Sequence, residues 1–360
     1  MSSDDTTGHG RHGDEGPVTF GLDTFGDLTV DLTGERVPVH QVIRDVVEQG
    51  VLADRAGIDH ISVGEHHRDD FAISAPEVVL AAIAARTERI TLGSAVTVLS
   101  SDDPVRVYER FATIDAISGG RAEITVGRGS FIESFPLFGF DLADYEVLFE
   151  EKLDLLAALR SEGPISWSGS TRAPLTGQRV HPTTERGGLP VWVGVGGSPE
   201  SVVRAARHGL PLMLAIIGGA PARFRPFVDL FHEVTVGTSL PVGVHSPGFV
   251  ADSDDEALDL LYPHFKANRD RIGRERGWPP VTRAEYEREA SQGALFVGSP
   301  ETVARRIADA VEVLGVQRFD LKYANGSMPH EHLMHAIDLY GTRVIPRVRE
   351  LLAAKAGLAP

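Results

Sequence analysis

The sequence predicts a TIM (β/α)8 barrel with insertions, on three observations. Eight short apolar runs alternate with helical patterns along the whole chain, which is the signature of a parallel sheet. The length, 360 residues, suits one alternating barrel with added segments. The second apolar run stops on Glu65-His66-His67, and the carboxyl ends of barrel strands are where such folds carry their chemistry.

The expected strands cover 18–23, 58–64, 90–96, 122–127, 191–195, 212–216, 242–250 and 319–323. The first helix shows its spacing clearly, because Val39, Val42, Ile43, Val46, Val47 and Val51 form one apolar stripe and Gly57 follows as a stop. Further helices are expected at 75–87, 104–117, 144–159, 199–207, 223–234, 300–314 and 331–352. Two intervals break the rhythm. Residues 161–188, rich in Gly, Pro, Ser and Thr around Trp167, read as a small hairpin added to the barrel. Residues 268–293 are charged and nearly without apolar periodicity, which fits either a lid or a solvated insertion. Residues 1–16, rich in Gly, Asp and His, read as a disordered tail, and 17–360 as a single domain.

Composition narrows the chemistry. With 35 basic and 51 acidic residues the formal charge is −16, which opposes binding to nucleic acid or an anionic membrane and points to a small-molecule substrate. No cysteine is present, so thiolate nucleophiles, zinc-thiolate sites and iron-sulfur clusters are excluded, and hard redox chemistry requires a borrowed cofactor. No apolar stretch reaches 18 residues, and a cytoplasmic location is expected.

Side chains alternate along a strand, so His66 is expected to face opposite to Glu65 and His67. The three can also be read as metal ligands, with His245 and Asp320 as the available partners on later strands, which would make a metal-dependent hydrolase. For His245 the plainer reading is a pocket-wall histidine. Gly194, Gly196 and Gly197 precede Ser198-Pro199-Glu200, a capped helix start whose free amides favour an anion. Gly298-Ser299-Pro300-Glu301 repeats that local chemistry, so both turns need not bind phosphate. Arg128, between Gly127 and Gly129, is a second candidate anion clamp.

Taken in order, Glu65-His66-His67, the run Ile-Thr-Leu-Gly-Ser-Ala-Val-Thr-Val-Leu from Ile90, the run Gly-Arg-Ala-Glu-Ile-Thr-Val-Gly-Arg-Gly from Gly120, Pro190-Val-Trp-Val, Gly-Leu-Pro at 209–211, Val-Gly-Ser-Pro-Glu from Val297 and Ala324-Asn325-Gly326 resemble bacterial luciferase-like flavin monooxygenases. The resemblance implies a TIM barrel, a homodimer, and reduced flavin mononucleotide (FMN) used with O2, the flavin being supplied by a separate flavin reductase. It implies His66 as the catalytic, proton-handling residue and no metal. It also implies a cis peptide at Ala95-Val96 beside the flavin ring, Leu22 and Ile216 flanking that ring, and phosphate contacts from Arg128, Gly129 and the turn Gly196-Gly197-Ser198. Luciferase has a cysteine where this chain has Gly127 and an indole where it has Ile216, so light emission is not implied. Members that use deazaflavin F420 for hydride transfer supply the second reading, and a flavin binder without turnover is a third.

Overall fold

The computed structural model describes residues 17–129, 131–355 and 357, so the expected tail at 1–16 lies outside the described residues. Among the described residues the strands are, in order, β1 (Thr19–Thr24), β2 (His60–Val63), β3 (Thr91–Ser94), β4 (Thr97–Val98), β5 (Ile124–Gly127), β6 (Ile165–Trp167), β7 (Leu175–Gln178), β8 (Val191–Val195), β9 (Leu212–Ala215), β10 (Val242–Val250), β11 (Phe296–Gly298) and β12 (Arg318–Lys322). The helices are α1 (Val39–Arg55), α2 (Pro76–Ala84), α3 (Pro104–Ser118), α4 (Ser134–Phe138), α5 (Tyr145–Leu159), α6 (Pro199–Arg207), α7 (Arg225–Val234), α8 (Asp254–Arg276), α9 (Arg283–Gln292), α10 (Pro300–Leu314), α11 (His330–Leu339) and α12 (Ile345–Lys355).

The main sheet runs β3-β2-β1-β12-β10-β9-β8-β5-β4, and every pair along it is parallel. β3 and β4 are two pieces of one barrel strand, interrupted at the cis peptide Ala95-Val96. The first piece pairs with β2, the second with β5, and a parallel bridge between Leu92 and Ala122 brings the two ends of the sheet together. Helices coat this nearly closed barrel.

α10 shows why such segments become helices. Ser299 caps it by accepting from the Thr302 amide, Pro300 opens the first turn, and Gly315, at φ 67°, ends it. Between those signals Val303, Ala304, Ile307, Ala308, Val311 and Leu314 recur at helical spacing and are buried.

The lower barrel is plugged by charge. Arg318 reaches Glu123 at 2.5 Å and the two oxygens of Asp320 at 3.0 and 2.9 Å, with all three side chains buried. Burial pushes the Asp320 carboxyl up to about 6 despite the pull of Arg318. Gly21 faces this plug: a Cβ there would overlap Asp320 Oδ1 and stand 2.9 Å from His60 Cβ.

Two expectations need correction. Residues 268–293 are not a loop: α8 carries the chain to Arg276 and, after a short turn, α9 takes it to Gln292. The helix expected at 331–352 is split by a π-turn at Tyr340–Val344, where Gly341 lies against Ala56 so closely that a Cβ would come within 2.6 Å of it. The hairpin at 161–188 is present as β6 antiparallel to β7.

Candidate active site

A cavity of about 920 Å³ opens at the carboxyl ends of the barrel strands, large enough for a cofactor and a small substrate. Its floor is the Asp320 layer, and one wall is built by α8 and α9.

His66 enters this space because the ladder of β2 stops at Val63. Gly64 then donates to Thr24 O at 2.9 Å, Glu65 to Val96 O at 3.2 Å, and His66 to Ile73 O at 3.0 Å. Gly64 has no room for a side chain, since a Cβ would lie 2.6 Å from the Phe25 ring and 2.7 Å from Ala95 O. The Glu65 carboxylate accepts from the Val98 amide and from His67 Nε2, both at 2.8 Å. His66 turns the other way, onto the cavity wall, stacked on Phe71 at 4.2 Å and met edge-on by Phe25 at 4.7 Å and Phe131 at 5.4 Å. Burial, then the charges of Lys322 and Arg68, hold the His66 imidazolium down to about 3. His66 is therefore a neutral ring near neutral pH, offering one N–H and one lone pair. The Glu65-His66-His67 triplet does not converge, and among the described residues no three His, Asp or Glu side chains gather to hold a metal ion.

The strand end beside His66 is apolar. Ala95 and Val96 line the cavity there, and Val96 is seated on two bare glycines: a Cβ on Gly127 or Gly194 would come within 2.7 or 3.0 Å of its methyls. At the cavity's edge Arg128 pairs with the exposed carboxylate of Glu146, lies 3.4 Å from Ser201 Oγ and sits 5.3 Å over the Tyr145 ring. Gly129, at φ 73°, follows it and also lines the cavity. Gly196 also lines the cavity, and a Cβ there would meet nothing within 4 Å.

The remaining expected contacts fall elsewhere. Gly197, at φ 99°, turns toward Phe224 and Phe227, and Ser198 is spent capping α6 and bonding Glu200. Leu22 is fully buried among core residues, because the inward positions of β1 are Gly21 and Asp23. Ile216 is likewise buried off the cavity wall, which its neighbours Ala215 and Ile217 line instead. The twin turn at Gly298 already holds an anion of its own: Asp254 accepts from the Ser299 amide at 2.7 Å and from Thr302 Oγ1 at 2.9 Å.

Several lining residues were not singled out from the sequence. Asp23 bonds His245 Nδ1 at 2.6 Å, and Lys322 bonds Asp27 at 3.1 Å while sitting 4.7 Å over the Phe25 ring. Phe25, Phe71 and Phe131 form the apolar cage around His66. The signal available was parity, since charged residues inside an otherwise apolar strand, as at Asp23 and Lys322, mark the face turned toward a cavity.

Comparison with known proteins places the chain in a family. The family model for luciferase-like monooxygenases matches residues 18–318. The 4-hydroxyprotoasukamycin monooxygenase of Streptomyces nodosus subsp. asukaensis is 28% identical over 318 residues, covering 82% of this chain and 84% of that one. Two solved structures share the fold. The oxygenating constituent of 3,6-diketocamphane monooxygenase from Pseudomonas putida, a type II Baeyer-Villiger monooxygenase in complex with FMN, superposes with a TM-score of 0.73 at 18% identity, covering 92% of this chain and 99% of that one. The coenzyme F420-dependent tetrahydromethanopterin reductase of Methanopyrus kandleri does so with a TM-score of 0.65 at 17% identity, covering 92% and 100%. The barrel and the matched span lead to one conclusion: the chain belongs to the luciferase-like monooxygenase family.

Proposed function

We propose that the protein is a monooxygenase that uses reduced FMN, fed by a separate flavin reductase, and O2 to oxidise a small organic substrate. The observation that carries this reading is a cavity that combines an anion-binding group with an apolar histidine site. Arg128, the Ser201 hydroxyl and bare Gly196, beside the amino end of α6, share it with the neutral His66 in its phenyl cage.

These residues fit a flavin phosphate. Gly196 leaves room for close backbone approach, the dipole of α6 favours an anion, and the anion now on Arg128 is an exposed carboxylate that a phosphate can replace. Bound FMN would supply the redox and oxygen chemistry that the side chains of this chain lack. The chain's own part is to bind and shield. Ala95 and Val96 give a planar ring an apolar face. The Phe25, Phe71 and Phe131 cage excludes water around His66, whose single N–H and lone pair donate or accept one proton in the reaction. α8, α9 and the turn between them roof the cavity with Phe265, Ile272, Trp278 and Tyr286.

The discriminating experiment is anaerobic titration with reduced FMN, oxidised FMN and F420, followed by admission of O2. Preferential binding of reduced FMN with O2 consumption supports the proposal; preferential binding of F420 without O2 consumption replaces it with hydride transfer.

A further inference from the structure

Two histidines face the cavity, and their surroundings differ in kind. His66 is ringed by aromatic carbon, and the positive charges of Lys322 and Arg68 act on it. His245, on β10, has a carboxylate behind it: Nδ1 lies 2.6 Å from Asp23 Oδ2, and both residues are at least nine-tenths buried. Phe25 separates the two rings, edge-on to His66 at 4.7 Å and stacked on His245 at 6.0 Å.

The Asp23 contact determines which way His245 works. A carboxylate accepts from Nδ1–H, so the lone pair of the neutral ring is on Nε2, the atom left for the cavity that His245 lines. The same carboxylate lies where the charge of a protonated ring would be balanced, whereas the charges acting on His66, those of Lys322 and Arg68, oppose its protonation. The other charged groups facing the pair are engaged. Asp320, the register neighbour of His245 on β12, is held by Arg318, and Lys322, the neighbour of Asp23, is held by Asp27 and the Ala324 carbonyl.

We infer that His245, positioned by Asp23, is the proton acceptor for an acidic hydroxyl on the substrate, so that the substrate class is a phenol or an enol. This deepens the monooxygenase reading and rests on it for the purpose of the step. The substrate O–H bond breaks, the proton goes to Nε2, the electron pair stays on oxygen, and nothing is oxidised or reduced. A phenolate or enolate carries more electron density at carbon than its neutral acid, which is what attack on an electrophilic oxygen requires. The phenyl cage offers such a planar substrate an apolar seat beside the base.

The test uses 4-nitrophenol, whose absorbance reports its ionisation, added to the full-length protein with and without reduced FMN at a pH below the pKa of the free phenol. The wild-type protein should bind it as the phenolate, with at least a tenfold shift in the ionisation ratio relative to solution. H245Q and D23N should bind it as the neutral phenol. Reduced FMN titrated into the same samples reports the cofactor side separately, and its retention shows that the variants are folded. Failure of the wild-type protein to bind the probe, binding as the neutral phenol, or equal ionisation in wild type and variants overturns the inference. Failure to bind reduced FMN overturns the monooxygenase reading alone, because the ionisation is read without flavin as well.

Discussion

Acid should destabilise this protein through its buried histidines, and His66→Phe should remove a defined share of that loss. The unfolded chain protonates each histidine near pH 6.5, whereas burial holds His66 and His60 down to about 3 in the fold. For a group whose folded pKa is depressed in this way, the unfolded state binds more protons between about pH 3 and 6.5, so stability falls as pH is lowered through that window. At about 1.4 kcal/mol per unit, moving from pH 7 to pH 5 costs about 2 kcal/mol for each histidine. Asp320 works the other way. Its folded carboxyl titrates at about 6, above the unfolded value, so it binds a proton in the fold first and returns about 1 kcal/mol over the same interval. Phenylalanine suits the site of His66, between Phe71, Phe25 and Phe131, and it cannot be protonated. Urea unfolding at pH 7 and pH 5 should then show the wild type losing about 2 kcal/mol more than His66→Phe. Equal losses in the two proteins would refute the reasoning, whatever the baseline stability of the variant.

Other outcomes follow from the same geometry. His66→Ala should lower turnover by about 10²- to 10⁴-fold while the dissociation constant for reduced FMN, read by anaerobic fluorescence titration, changes little. Arg128→Met should weaken reduced FMN by about tenfold or more, since a charge-assisted hydrogen bond is worth about 1.5–3 kcal/mol, and Glu146→Gln, which removes the competing carboxylate, should tighten it in the same titration. Gly21→Ala should cost about 1–3 kcal/mol in urea unfolding, because Asp320 is clamped by Arg318 and cannot yield to the new methyl. Arg68 ties the segment after β2 to the segment before α4 and to α8 through Glu133 at 2.5 Å and Glu275 at 2.7 Å. Arg68→Ala should loosen the roof and raise the hydrogen peroxide released per reduced FMN consumed, measured by a peroxide assay during turnover.

The barrel was legible because its strands are continuous buried runs between strong helix signals; β8, β10, α6 and α10 begin and end where apolar pattern, serine caps and glycine stops place them. The roof was not legible by the same route. α8 buries only Ala257, Leu261 and Gly273 over its length and carries Pro263 inside, so it has no apolar stripe to read. Its signals were at the ends: Ser253 caps three consecutive acids, and Thr282 with Glu285 forms a capping box for α9. The cavity lining was legible where chemistry is concentrated, at His66, Arg128 and Gly196, and missed where it depends on strand parity. Leu22 and Asp23 are adjacent in sequence yet face opposite sides of β1, and only the register with β2 and β12 tells which side is the cavity. Likewise, no local pattern separates the turn at Gly196 from the turn at Gly298; the difference is Asp254, brought in from a distant helix.

The two sides of the cavity come from different kinds of chain. The wall with Ala95, Val96, Gly127 and Gly194 is assembled from strand ends scattered across the barrel, so no single exchange can rebuild it. The roof of Phe265, Ile272, Trp278 and Tyr286 is one unbroken stretch from α8 through α9, which leaves the sheet after β10 and returns to it at β11. A lineage can therefore trade that one stretch, by insertion or recombination, and acquire a new clientele while the barrel beneath keeps its inheritance.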